Sequence, residues 1–320
     1  MKLAARMSRL GTETAFEVLA RARALEAQGH TIIHLEIGEP DFDTPQHIID
    51  EATHALNNHG THYTPSAGIP ELRKTIAEYV SRTRNIEVTP DMVVVVPGGK
   101  PIIFFGLMAL IERVDEVIYP SPGFPIYESM IHFVSAHGVP IPLRMENDFA
   151  FDLDDLEKAI TPQTRMIVIN SPANPTGGVL RRSALEKIAQ FAIKHDLIVF
   201  SDEIYSRIIY DEEFLSIASL PGMQERTIIL DGFSKTYAMT GWRLGYGVMP
   251  VNVAQAVSRL ITNSTSCTAT ATQFAGVKAL TSSQGNVDQM VTAFRQRREV
   301  IVNGLNQIPG FKCLMPAGAF

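Results

Sequence analysis

Two cations, Lys235 and Arg243, stand in the stretch DGFSKTYAMTGWRLGY (Asp231–Tyr246), where almost every other residue is small or apolar. A surface segment would carry more charge and a plain core strand would carry none, so both cations need partners inside the fold. A lysine that is desolvated or crowded by another cation sheds its proton and becomes a nucleophile toward carbonyl groups. An arginine stays charged, and its planar fork suits a phosphate.

Three other junctions carry chemistry. PGGK (Pro97–Lys100) follows an apolar run and precedes an apolar helix. Glycines at such a turn leave backbone N–H groups bare beside a helix N-terminus, where phosphates bind, although a tight turn is the plainer reading of Gly98 and Gly99 taken alone. The nucleotide-binding pattern G-x-x-x-x-G-K-[ST] is absent, because Pro101 follows Lys100. SPANPTGG places Asn174 in a Pro- and Gly-rich turn, with an amide able to bind a phenolic oxygen or a carboxylate. LIVFSDEIY ends a very apolar run on Asp202, with Tyr205 close behind. A carboxylate at that depth either caps a following helix or pairs with something protonated. A phosphate cradle, a buried acid and an activatable lysine together describe a site for pyridoxal phosphate. Asp202 would bond the ring nitrogen, Lys235 would carry the aldehyde, and Arg243 with the glycine turn would hold the phosphate, assisted by the Ser234 hydroxyl.

Strands must hold these junctions at a common edge. Apolar runs at Val93–Val96, Val117–Pro120, Met166–Asn170 and Leu197–Asp202 read as buried parallel strands, followed by Ile228–Leu230 and Leu244–Met249. SALEKIAQFAIKHD puts Leu185, Ile188, Ala189, Ala192 and Ile193 on one helical face. This alternation predicts an α/β fold with helices on both sides of a sheet, whose ligands bind at the carboxyl ends of the strands. A length of 320 residues predicts one large domain and a smaller one. A net charge of −6 argues against a general nucleic-acid binder. Two cysteines, Cys267 and Cys313, form no disulfide framework and fit a reducing cytoplasm. The run PIIFFGLMALI (Pro101–Ile111) is too short to span a bilayer and predicts a buried helix, so no membrane partner is expected. His59 and His62 lack the companions of a metal site. Trp242 is expected to pack, and QRRE around Arg297 and Arg298 to form a solvated helix face.

GEPDFDTP, YTPSAGIPELR, NSPANPTGG, SDEIYS and GFSKTYAMTGWRLGY, in this order along the chain, resemble class I/II aminotransferases of the pyridoxal-phosphate fold-type-I superfamily. The likeness is strongest to the branch that holds bacterial aspartate, alanine and aromatic aminotransferases. It implies a mostly parallel central sheet in a large cofactor-binding domain over residues 38–288. It also implies a smaller α/β domain built from residues 1–37 and 289–320. It implies ping-pong transamination between an L-amino acid and a 2-oxo acid through a Schiff base on Lys235. By the same likeness Asp202 bonds the pyridine nitrogen, and Tyr205 and Asn174 bond the phenolic oxygen. Gly98, Gly99, Lys100, Ser234 and Arg243 surround the phosphate, and Phe124 lies over the ring. Gly38 sits beside the substrate carboxylate. Tyr63 reaches the phosphate of a neighbouring subunit, which implies a homodimer with shared sites. Two departures stand out. Many aspartate-specific members have tryptophan where Phe124 stands, and family members continue past CLMPAGAF with a strand and further small-domain elements. That continuation carries the arginine for the substrate α-carboxylate, so an incomplete small domain is expected. A carbon–sulfur β-lyase, a decarboxylase, a ligand-sensing domain and an inactive fragment share the motifs as alternative readings.

Overall fold

β-Branched residues pack well on a pleated surface that is covered on both faces, and this chain supplies them in short uninterrupted runs. The computed structural model describes residues 1–320. Its strands are β1 (Val93–Val96), β2 (Glu116–Ser121), β3 (His137–Pro142), β4 (Thr164–Asn170), β5 (Ile198–Asp202), β6 (Thr227–Gly232) and β7 (Gly245–Val248). The helices are α1 (Thr14–Glu26), α2 (Gln46–Asn57), α3 (Pro70–Arg84), α4 (Lys100–Leu110), α5 (Ile126–Phe133), α6 (Leu153–Ala159), α7 (Arg182–Lys194), α8 (Val251–Ser264), α9 (Thr270–Thr281) and α10 (Gly285–Asn306).

The strands form one seven-stranded sheet in the order β1-β7-β6-β5-β4-β2-β3. Strands β2 to β6 run parallel to one another, and β7 lies antiparallel between β6 and β1, so that Val93–Val96, read from the sequence as a parallel strand, has only an antiparallel partner. The period-2 alternation divides the core. Val94, Val96, Val168, Phe200 and Leu230 pack with α4, α5 and α8, whereas Val93, Val95, Ile229 and Val248 pack with α2, α3 and α9. Ile118, Ile167, Ile169 and Val199 meet α6 and α7, where Leu185, Ile188, Ala189 and Ala192 lie on the buried face as expected; Ile193, expected with them, is 47% exposed, and Phe191 is buried instead. Removing a valine such as Val94 from water contributes about 1.5–3 kcal/mol, so a charge there would open this layer.

Strand β3 escapes a sequence reading because HGVPIP carries Pro140 and Pro142. Proline cannot donate to a ladder, and β3 tolerates it because it pairs with β2 alone, at the sheet edge. The apolar run after Lys100 is the buried helix α4, and no helix is long and apolar enough to cross a membrane. Trp242 packs as expected, with Nε1 donating to Thr44 Oγ1 at 2.9 Å. Arg298 departs from the solvated face read from QRRE. It is 8% exposed, 2.7 Å from Asp211 Oδ2, and stacked 4.4 Å from the Tyr210 ring centroid. Arg297 stays half-exposed and pairs with Asp41.

After α10 the chain returns to the sheet edge. The N–H groups of Ala317 and Gly318 both donate to the Gly177 carbonyl at 3.0 Å, and Ala319 N–H donates to Ile208 at 2.8 Å. Gly177 has φ +69°, and a Cβ there would lie 2.5 Å from Pro316, so only glycine admits this approach.

Candidate active site

Strand direction decides which residues meet. Parallel strands β4, β5 and β6 end together, with Asn170 opposite Asp202 and Asp202 opposite Leu230. Because β7 runs the other way, its beginning lies at the same edge: Gly245 faces Gly232 on one side and Val96 on the other. The residues after β1, β4, β5 and β6 and those before β7 therefore share one crevice, which is where such sheets bind ligands.

Asp202 is 3% exposed. Burial raises its pKa to about 6, opposed by the Tyr127 hydroxyl, which donates to Oδ2 at 2.6 Å, and by the Ile204 N–H, 3.2 Å from Oδ1. Asp231 and Glu203 add to the upward push. The acid thus caps a turn and remains available to a protonated partner; no helix follows it. Asn170 ties this strand end to the next loop: its amide donates to the Asp202 carbonyl at 3.0 Å and its Oδ1 accepts from Asn174 N–H at 2.7 Å. The Asn174 carboxamide itself has no hydrogen bond within the chain. The same holds for the Tyr205 hydroxyl, whose pKa burial and nearby Asp202 both raise.

The loop from β6 to β7 carries both cations and is closed at its base by Phe233 N–H donating to the Leu244 carbonyl at 3.2 Å. Lys235 Nζ donates to the Gly38 carbonyl and lies 5.9 Å from the Tyr205 ring centroid. Burial brings its pKa down from 10.5 to about 8; Arg243 pushes the same way, while Glu39, Asp202 and Glu13 oppose. Such an amine is partly neutral near physiological pH and able to attack a carbonyl. Segment 38–44 clasps the loop: Thr240 Oγ1 donates to Glu39 Oε2 at 2.8 Å, and Thr44 Oγ1 to the Ala238 carbonyl at 2.7 Å.

Arg243 uses Nη1 on the Thr240 carbonyl at 2.9 Å and keeps the rest of its guanidinium free. Its Nη2 rests over Gly98, which has φ +82° and where a Cβ would stand 2.0 Å from that nitrogen. Gly99 is the N-cap of α4 and offers no side-chain cap; Pro101 has no N–H and Ile102 N–H donates to the Gly99 carbonyl at 3.0 Å, which leaves the N–H groups of Gly98, Gly99 and Lys100 open to an anion. Ser234 is 8% exposed, and its hydroxyl has no partner in the chain. Uncapped N–H groups, a free hydroxyl and a free guanidinium beside a glycine that no other residue could replace make a cradle fitted to a phosphate. A buried acid and a pKa-lowered lysine at the same edge complete a donor set that fits pyridoxal phosphate.

The other expected residues divide. Phe124 packs edge-on against Tyr127 at 5.9 Å and joins the site. The Lys100 ammonium turns away to Glu13 Oε1 at 2.5 Å, 5.5 Å from the Phe124 ring centroid, leaving its backbone at the helix start. Tyr63 is 89% exposed and makes none of the contacts that join the rest. Two site residues escaped the sequence reading. Tyr127 stands in the first turn of α5, in SPGFPIY, and its bond to Asp202 leaves no local signature. Phe320 brings its ring within 5.5 Å of Lys235 Nζ and stacks on Phe294 at 4.8 Å.

The model of the family described as "Aminotransferase class I and II" matches residues 30–320. An aspartate aminotransferase of Bacillus subtilis is 38% identical over 100% of this chain and 82% of its own length. An aspartate aminotransferase of Pyrococcus abyssi is 43% identical over 90% of the chain and 75% of its own. The solved structure of aspartate aminotransferase from Thermus thermophilus with maleate superposes with a TM-score of 0.97 at 37% identity, over 100% of this chain and 84% of that one.

Proposed function

The chain belongs to the class I and II aminotransferases and catalyses transamination, and on that premise we propose that Lys235 is its reactive amine and pyridoxal 5′-phosphate its cofactor. The observation that carries this reading is the placement of one lysine, its pKa lowered to about 8, at the sheet edge that also holds the buried Asp202. Gly98, Gly99, the start of α4, Ser234 and Arg243 would hold the phosphate. Asn174 and Tyr205 would bond the phenolic oxygen, and Phe124 would cover the ring. When bound, the cofactor supplies the electron sink that makes the α-proton of an amino acid acidic.

The residues supply the rest. The Asp202 carboxylate, held ionised by Tyr127 and the Ile204 N–H, would keep a proton on the pyridine nitrogen. Lys235 Nζ anchors the cofactor at rest, takes the substrate α-proton as a neutral amine, and returns it as an ammonium. Gly38, whose carbonyl accepts from Nζ, marks where the substrate carboxylate would approach.

An amino acid and a 2-oxo acid are the substrates of this reading, and the relatives' names support aspartate as the first donor to test. Tyr63, exposed and unattached, is assigned to the site of a second copy in a homodimer. Residues 38–288 form the cofactor lobe and residues 1–37 with 289–320 the smaller one. The free thiols of Cys267 and Cys313 support a cytoplasmic setting.

Borohydride reduction of the protein loaded with pyridoxal phosphate, followed by peptide mapping, should place the modified residue at Lys235. A panel of amino donors with 2-oxoglutarate should yield a new amino acid, and Lys235→Ala should abolish turnover. Label elsewhere, or multiple turnover by that variant, refutes the assignment. Ammonia and pyruvate from cystathionine would indicate a β-lyase instead.

A further inference from the structure

Behind Asp202 the chain buries a second charged cluster that the site described above does not use. Arg84, the last residue of α3, is 3% exposed. Its Nε donates to Glu203 Oε2 at 3.1 Å, and its Nη2 to Asp231 Oδ2 at 2.5 Å and Ser206 Oγ at 2.9 Å. The remaining oxygens are also bonded. Glu203 Oε1 accepts from Ser201 at 3.1 Å and Ser216 at 2.5 Å, and Asp231 Oδ1 accepts from Gly232 N–H at 2.7 Å. Tyr246 adds its hydroxyl to Asp231 Oδ2 at 3.1 Å. The guanidinium lies 5.7 Å from the Tyr79 ring centroid and 5.2 Å from that of Phe214, which helps shut out water.

A buried network of one cation and two carboxylates is a poor source of stability, because well-packed apolar residues of similar volume often do as well or better. Its place in the fold suggests another role. Glu203 directly follows Asp202 at the end of β5, and Asp231 lies four residues before Lys235 at the end of the adjacent β6. We propose that Arg84 is a positioning residue: its guanidinium fork pins the ends of β5 and β6 together and thereby fixes Asp202 and Lys235 relative to each other. The role rests on the cofactor assignment made above. A lysine would keep the charge but could not span both carboxylates and Ser206.

The test compares wild type with Arg84→Lys and with the triple variant Arg84→Met/Glu203→Gln/Asp231→Asn, which removes all three formal charges at similar volume. The readouts are melting of the cofactor-free protein, titration with pyridoxal phosphate, and separate kcat and KM. Positioning predicts folded variants whose dissociation constant for pyridoxal phosphate rises about 10-fold. Their kcat falls on the order of 100-fold, the scale of a 1 Å misplacement, with little change in KM. If Arg84→Lys does not fold, the triple variant decides by the same readouts. Folded variants that bind and turn over like wild type overturn the proposal, and failure of both to fold assigns the network to stability alone. Wild-type protein that takes no label at Lys235 under borohydride refutes the cofactor assignment. A labelled wild type with indistinguishable variants refutes only the role of Arg84.

Discussion

Replacing Lys235 by methionine removes a cation that the fold holds against its preference, so the cofactor-free protein should gain stability at neutral pH. The lysine titrates at 10.5 in its ordinary setting and at about 8 here, chiefly through burial. Below pH 8 the amine is protonated in both states, and keeping it charged in the folded chain costs about 3 kcal/mol at ~1.36 kcal/mol per unit of pH. The variant also loses the hydrogen bond to the Gly38 carbonyl, which offsets about 1 kcal/mol. A net gain of about 2 kcal/mol remains at pH 7. The sign of the pH dependence follows. A lowered lysine pKa means that the unfolded chain binds more protons between pH 8 and 10.5, so wild-type stability rises across that window. The advantage of Lys235→Met should shrink there and reverse by about 1 kcal/mol above it. Melting of both cofactor-free proteins at pH 7 and above pH 10.5 measures this, with a rise of a few degrees expected for the variant at pH 7. A variant that melts below wild type at pH 7 refutes the reasoning. So does an advantage that persists undiminished at the higher pH.

Tyr127→Phe removes the hydroxyl bonded to Asp202 Oδ2, so the acid should titrate above its present value of about 6. The pH below which cofactor-free protein loses affinity for pyridoxal phosphate should then rise by about 1 unit, and titrations across pH 5–8 that superimpose on wild type would exclude it. Gly98→Ala drives a methyl group into Arg243 Nη2 at a backbone φ of +82°, so affinity for pyridoxal phosphate should fall at least about 10-fold. Equilibrium titration checks this, and unchanged affinity would remove Arg243 from the cradle. Gly177→Ala forces Pro316 away from the turn at 177, and should cost about 1–3 kcal/mol. Faster limited proteolysis of residues 311–320 is the expected sign, and protection equal to wild type speaks against it.

Lys235, Asp202, Asn174 and Arg243 were legible because each interrupts or follows an apolar run, where a polar side chain needs a reason. The parallel strands were legible from the same runs. Strand β3 was not, since its prolines argue against a strand and only its edge position excuses them. Arg84 lies in SRTRN, at the end of α3, where no local pattern sets it apart from the neighbouring Arg82. Its burial depends on Glu203 and Asp231, more than a hundred residues away in the chain. Arg298 was misread for the same reason, because Asp211 and Tyr210 reach it only through tertiary folding. Local pattern reports which positions are apolar, and long-range packing decides which charges it encloses.

The reversed direction of β7 has a practical meaning. Residues 233–244 leave the sheet from Gly232 and re-enter it at Gly245, two neighbours in one ladder. Both cations therefore hang from a single stirrup whose feet are bolted side by side. Shortening or lengthening that stirrup would shift amine and guanidinium together, while the rest of the framework kept its shape. A designer seeking to reshape the crevice should work on segment 38–44, which crosses over the stirrup from outside, and leave the stirrup's length alone.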